Sequence, residues 1–168
     1  MLNRFINIKR QNGASLVEFS IILPLLLLLF FGIIEWGVFM YDKAVLTNAT
    51  REGARAGIIR TEFKYTIGAD EITLYHPLPS TVQEEVKNIC NEQMISLNPN
   101  ANLIVPLPTY VNLDGDSVDL VEAKKGDFIK VVANYNFDFL FFSNLLSFFS
   151  DTYENGIPIN SETIMRLE

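Results

Sequence analysis

Residues 19–41 read FSIILPLLLLLFFGIIEWGVFMY, an apolar run whose single charged residue is Glu35. A helix of this length spans roughly 35 Å at about 1.5 Å per residue, which is enough to cross a hydrocarbon core of about 30 Å. A helix on the surface of a soluble domain needs only one apolar face, whereas residues 25–31 are apolar on every face. We therefore predict a transmembrane helix and disfavour a buried core helix.

The residues on either side of the run fit a membrane span. Arg4, Lys9 and Arg10 precede it with no acidic residue among them, so the positive-inside rule places the N-terminus in the cytoplasm and the chain beyond Tyr41 outside. Trp36 and Tyr41 suit the outer aromatic belt. A secretory signal peptide is the alternative, but the apolar run is too long and no A-x-A cleavage pattern follows it.

Charged residues are distributed unevenly along the chain, which has 168 residues and a formal net charge of −7. Residues 1–60 carry seven Lys or Arg against four Asp or Glu, a net of +3, whereas residues 61–168 carry six against sixteen, a net of −10. The acidic part argues against nucleic acid as a partner. One Cys, one His and the lack of catalytic or metal-binding motifs predict a protein that is not an enzyme, with no metal site and no cofactor.

The segment that leads into the apolar run has the form of a prepilin processing signal. Residues 12–19 read NGASLVEF, in which a short basic leader ends in Gly13, and Glu18 and Phe19 follow after four residues. We predict cleavage by a prepilin peptidase between Gly13 and Ala14, so that Glu18 becomes the fifth residue of the mature chain. The new α-amino group is largely protonated at neutral pH, and Glu18 is suitably placed to pair with the ammonium of a neighbouring subunit. The alternative is that Glu18 is a simple interfacial acid at the cytoplasmic edge.

Two further residues of the apolar run stand out. Glu35 lies near the outer boundary, where it serves either as an interfacial acid that reaches water or in helix packing. Pro24 lacks the N–H that would bond the Ser20 carbonyl, which predicts a modest kink or local loosening.

The helix is expected to continue past the bilayer, from about Ala14 to Ile59, as a stalk roughly 70 Å long in total. A stripe of mostly small and apolar residues predicts its packing face: Tyr41, Ala44, Val45, Asn48, Ala49, Glu52 and Ala56. The opposite side carries Lys43, Thr47, Arg51 and Arg55. Gly53 and Gly57 allow a close backbone approach, preferably to the protein's own distal sheet and alternatively to another subunit.

The distal part is predicted to contain a helix and several strands. Residues 61–79 are interpreted as irregular because of their Gly and Pro residues. A helix then begins with the capping-box pair Ser80 and Gln83, ends at 98–100, and has an apolar face made of Val82, Val86, Ile89, Cys90 and Leu97. Strands are predicted at 102–106, 109–113, 117–122, 128–137 and 157–167, with turns at 114–115 and 124–127.

Two distal segments allow alternative interpretations. The aromatic residues are interpreted as a core-plugging helical turn, with an exposed contact patch as the alternative: Phe137, Phe139, Phe141, Phe142, Phe148 and Phe149. Residues 112–119 (NLDGDSVD) are interpreted as a hairpin turn with solvated acids. A calcium loop is the alternative, but the Gly and Glu positions of an EF-hand are not matched.

Residues 12–57 resemble the TadE-like family of tight-adherence (Flp) pilus assembly proteins. The resemblance rests on Gly13, Glu18-Phe19, Pro24 with the leucine run, and three later motifs: Gly32-Ile33-Ile34-Glu35, Leu46-Thr47-Asn48-Ala49 and Arg51-Glu52-Gly53-Ala54-Arg55-Ala56. It implies a pseudopilin-like subunit for a pilus or a related secretion machine. The implied partners are the membrane, a prepilin peptidase, other pilins or pseudopilins, and inner-membrane pilus assembly proteins.

These observations predict an α+β fold. A basic leader (1–13) precedes a transmembrane helix and stalk (14–60), and a small extracytoplasmic domain with a helix and an antiparallel sheet follows (61–168). The expected location is the cytoplasmic (inner) membrane in a single pass. The alternative function is that of an uncleaved single-pass membrane protein that displays an extracytoplasmic binding domain.

Overall fold

The structure, a computed structural model, describes residues 11–59, 63–67, 70–74, 76–95, 103–139 and 156–167. Its first element is a helix, α1, which runs without a break from Gln11 to Ile58. Its 48 residues extend over about 72 Å. The predicted continuation of the membrane helix into a stalk is therefore confirmed.

A short antiparallel hairpin follows, formed by strands β1 (Phe63–Ile67) and β2 (Asp70–Leu74). The interpretation of residues 61–79 as irregular is therefore wrong for these two strands. Apolar residues alternate along the first strand at Phe63, Tyr65 and Ile67, and only two residues separate the strands. This is the pattern of a hairpin with a tight turn.

The second helix, α2, comprises Pro79–Gln93 and has Leu78, not Ser80, as its N-cap. Pro79 occupies the start of the helix, where the N–H that it lacks would have no helical partner. The predicted capping box is therefore wrong, and Gln83 instead donates a hydrogen bond through Nε2 to the backbone oxygen of Val105. The helix ends at Gln93, earlier than expected, and Leu97 lies outside the described residues.

The remaining strands form one antiparallel sheet: β3 (Leu103–Ile104), β4 (Thr109–Val111), β5 (Ser117–Val118), β6 (Phe128–Phe137) and β7 (Ile157–Arg166). Strand β6 is central, because β7 pairs with its whole length on one side and β3 and β4 pair with it on the other. Strands β3 and β5 are shorter than predicted. The two long strands match their predicted positions, and the turns after Val111 and before Phe128 are confirmed by Gly115 and Gly126, whose φ angles are +92° and +103°.

The core lies between α1, α2 and one face of this sheet. Alternate residues of β6 point inward, and all five are buried: Ile129, Val131, Ala133, Tyr135 and Phe137. They pack with Val82, Val86 and Cys90 of α2 and with the second half of α1. The architecture is thus an α+β fold in which the stalk of the long helix is itself one wall of the domain.

Candidate functional site

The first half of α1 is apolar and open to its surroundings. Its large side chains from Leu16 to Phe30 are exposed on all sides of the helix, as are Ile33 and Ile34, whereas Phe31 is half-buried. The helix that includes Ser15–Ile58 is long and apolar enough to span a membrane. No residue in its most apolar stretch is buried within the protein. A fully exposed apolar surface of this size is costly in water and favourable in lipid.

The predicted cleavage site lies in α1, close to the first residue that the structure describes. Gly13 is helical and exposed, two residues after Gln11. Glu18 and Phe19 are both exposed and lie within two turns of Gly13. The structure therefore places these residues within two turns of one another on an exposed stretch of the helix.

Pro24 and Glu35 differ in their surroundings. The helix continues through Pro24, and Ser20 directs its hydroxyl to the Leu16 carbonyl at 2.7 Å; the expected kink stays a prediction. Glu35 is only 6% exposed, although Ile34 and Trp36 beside it are 48% and 54% exposed. Glu35 therefore faces the protein, as the packing interpretation requires and the water-exposed one does not.

The packing face of the stalk differs from the predicted stripe. Tyr41, Ala44, Asn48 and Glu52 are exposed, which corrects that prediction. The buried face instead consists of Asp42, Val45, Leu46, Ala49, Thr50, Gly53, Ala54 and Gly57. These positions recur at intervals of three and four residues, as one helix face requires. The prediction missed this register because Asp42 and Thr50 are polar residues whose hydrogen-bond partners include residues far away in the chain.

Asp42 connects the stalk to the end of α2. Its side chain is fully buried, and its Oδ1 accepts a hydrogen bond from the backbone N–H of Ile95 at 3.0 Å. Ile95 follows the last turn of α2, so this carboxylate fixes where α2 ends relative to α1. Nothing local in the sequence signals this contact, since 53 residues separate the two partners.

Thr50 connects the stalk to β7. Its Oγ1 lies 3.0 Å from the Thr47 carbonyl oxygen, 2.8 Å from Ser161 Oγ and 3.0 Å from Thr163 Oγ1. A hydroxyl has one proton and a carbonyl can only accept, so the geometry is satisfied when Thr50 donates to Thr47 and accepts from Ser161 and Thr163. This buried cluster sets the register of β7 on the stalk.

Gly53 and Gly57 lie at the closest approach between the stalk and the rest of the domain. A Cβ atom built on Gly53 would overlap Val86 Cγ2, and one built on Gly57 would overlap Ile129 Cδ1. Gly57 therefore packs against the distal sheet at β6, whereas Gly53 packs against helix α2 and not against the sheet. Gly37, in contrast, has no atom within 4 Å of such a Cβ.

The acidic turn at residues 112–119 is a hairpin, as predicted. Asn112 Oδ1 accepts hydrogen bonds from the N–H groups of Asp114 and Asp116 at 3.0 and 2.9 Å, and Tyr110 pairs with Val118 across the two strands. Within the described part of the chain, no group of three or more His, Cys, Asp or Glu side chains is placed to hold a metal ion.

The aromatic cluster is only partly described. Phe137 is buried and Phe139 half-buried, and both rings pack against Phe39 of α1 at centroid distances of 5.4 and 6.3 Å. Phe137 belongs to strand β6 and not to a helical turn. The remaining members of the cluster, Phe141, Phe142, Phe148 and Phe149, lie outside the described residues.

These features define a class of protein. Among the described residues, one helix near the N-terminus is long and apolar enough to span a membrane, which is consistent with a single-pass membrane protein, and the same helix supports a packed α+β domain. Residues 13–55 match the family model described as TadE-like protein. The matched segment runs from Gly13 to Arg55 and confirms the resemblance drawn from its motifs. The chain matches no curated protein and no solved structure.

Proposed function

We propose that the protein is a pseudopilin-like subunit that assembles a tight-adherence (Flp-type) pilus or a related secretion machine. The match of residues 13–55 to the TadE-like family carries this proposal. It is supported by the exposed apolar half of α1, which needs a membrane or neighbouring apolar helices to cover it. The role is structural, so the chain needs no catalytic residues, metal or cofactor of its own.

Maturation by a prepilin peptidase is the second part of the proposal. Hydrolysis of the Gly13–Ala14 bond would release the leader, residues 1–13, with a carboxylate on Gly13 and an ammonium on Ala14. The exposure of Gly13 supports access to this bond. Cleavage would also remove Arg4, Lys9 and Arg10, the cations that hold the N-terminus in the cytoplasm.

Glu18 would then guide assembly. It lies four residues after Ala14, one helical turn, and its side chain is exposed. A carboxylate and an ammonium about 4 Å apart attract by about 4 kcal/mol at an effective dielectric constant of about 20, before desolvation is subtracted. Such a pair between neighbouring subunits favours one axial register of packed apolar helices. The partners are therefore other pilins or pseudopilins, together with the peptidase and inner-membrane assembly proteins.

Deleting the gene in the organism that encodes it tests the assembly role. We expect surface pili, counted by electron microscopy, to fall at least tenfold and to return when the full chain is supplied from a plasmid. An empty plasmid is the control. An unchanged number of pili would contradict the proposal and favour the alternative, an uncleaved membrane protein that displays its distal domain for binding.

A further inference from the structure

Among the residues that the structure describes, the last ones of α2 and β6 lie closest to the apolar half of α1. Both elements run antiparallel to α1. Gly53 faces Val86 in α2 whereas Asp42 binds Ile95 at its end, and Phe39 packs against Phe137 at the end of β6. The described part of the domain therefore begins near Phe39 and Asp42 on the helix.

The burial of Glu35 shows how far the rest of the chain covers α1 in the direction of its apolar half. A residue on an isolated helix remains largely open, yet Glu35 is 6% exposed while Trp36 beside it is 54% exposed. Glu35 lies one turn before Phe39 and shares its helix face. The chain thus covers one face of α1 down to Glu35 and leaves the opposite face open.

If α1 spans a bilayer, the length of the helix determines where Asp42 and Ile95 lie relative to the hydrocarbon core. If the hydrocarbon core begins next to Glu18, its thickness of about 30 Å ends about 20 residues later, near Val38. Asp42 lies about 6 Å beyond that point, and Ile95 is bonded to Asp42 at 3.0 Å. The headgroup layer on each side is about 5–7 Å thick, so Ile95 falls within it.

The open side chains at this level have the chemistry of an interface with lipid. Trp36, Met40, Tyr41 and Ile95, which we term the membrane-facing patch, are 54%, 42%, 45% and 59% exposed. Trp and Tyr rings are favoured among lipid headgroups, because one end is apolar and the other polar. Lys43 is exposed one helical position beyond Asp42, where its ammonium would be within reach of lipid phosphates if α1 spans a bilayer at this depth.

We propose that the domain rests on the bilayer through the membrane-facing patch, with Ile95 at the end of α2 in contact with phospholipid. The stalk then does not hold the domain away from the membrane; it lies within the domain. This contact would restrict tilting of α1, since the bilayer is contacted by two separate elements. The inference rests on the proposed function only in requiring that α1 spans a membrane.

Fluorescence quenching in vesicles tests this contact, because Trp36 is the single tryptophan of the chain. The full chain is reconstituted in phosphatidylcholine vesicles whose lipids carry bromine close to the carboxyl end of one acyl chain. In a Trp36→Phe background, Ile95→Trp places the probe at the end of α2. Leu113→Trp is the matched control, because Leu113 is 71% exposed in the turn at the far end of the domain.

We expect brominated lipid to reduce the emission of the Ile95→Trp protein at least twofold and to leave that of Leu113→Trp unchanged. Protection of Cys90, which is fully buried, from a maleimide shows that each variant is folded. Equal, weak quenching of both probes while native Trp36 is quenched would overturn the lipid contact but leave the membrane span intact. Absence of quenching at native Trp36 would overturn the span as well.

Discussion

Replacing Gly53 with Leu is expected to lower the free energy of unfolding of the domain by about 3 kcal/mol and to separate α1 from α2. Even the first added carbon would overlap Val86 Cγ2. Val86 is β-branched and has one strongly favoured rotamer in a helix, so it cannot turn away. Val82 Cγ1 and the Val82 carbonyl oxygen, each 3.7 Å from the added Cβ, leave no room on the other side.

The thiol of Cys90 reports this separation, since it is the single cysteine of the chain. Burial raises the pKa of Cys90 from 9.0 to about 11, which at pH 8 leaves about a hundredfold less of the reactive thiolate than in an unfolded chain. We expect maleimide to label the Gly53→Leu protein at least tenfold faster than the wild type.

Two further variants provide a control and a rescue for this test. Gly37→Leu makes the same change on the same helix where a Cβ meets nothing within 4 Å, and it should leave the labelling rate unchanged. Combining Gly53→Ala with Val86→Ala removes the overlapping methyl and should restore slow labelling relative to Gly53→Ala alone. If Gly53→Leu labels as slowly as the wild type, the close packing of α1 on α2 is wrong.

Replacing Glu18 with Ala is expected to leave processing at Gly13 intact and to reduce surface pili at least tenfold. The cleavage site would be unchanged, but the mature N-terminal ammonium would lose the carboxylate that sets the register between neighbouring helices. Counting pili by electron microscopy, alongside the intact mass of the membrane protein, separates the two effects.

Glu52→Ala is the matched control for this variant, because Glu52 is an exposed carboxylate on the same helix beyond the apolar half. It should support normal numbers of pili. Normal piliation with Glu18→Ala would contradict the proposed pairing of the carboxylate with an ammonium.

The elements with strong local patterns were predictable from the sequence. The apolar run of residues 19–41 leads directly to α1, and the alternation along residues 128–137 leads to β6, whose odd-numbered residues are buried. The turn at Asp114-Gly115 also followed from local chemistry, since Gly115 adopts a positive φ. Gly53 and Gly57 were recognisable as points of close approach, although their partners were not.

The features that sequence reasoning missed depend on distant partners. Asp42 and Thr50 were left out of the packing face because burying a polar side chain is costly unless it is bonded. Their partners are Ile95, Ser161 and Thr163, far away in the chain. Gln83 was assigned to a capping box for a similar reason: its bond to Val105 crosses between elements and leaves no local signal.

The central claim is that the chain is a prepilin-like subunit matured at its leader, and the N-terminus of the protein tests it most directly. The protein is recovered from membranes of cells with and without the prepilin peptidase, and its intact mass and N-terminal sequence are determined. We expect a chain that starts at Ala14 when the peptidase is present and at Met1 when it is absent. A chain that starts at Met1 in both, in cells that process another prepilin, would contradict the account.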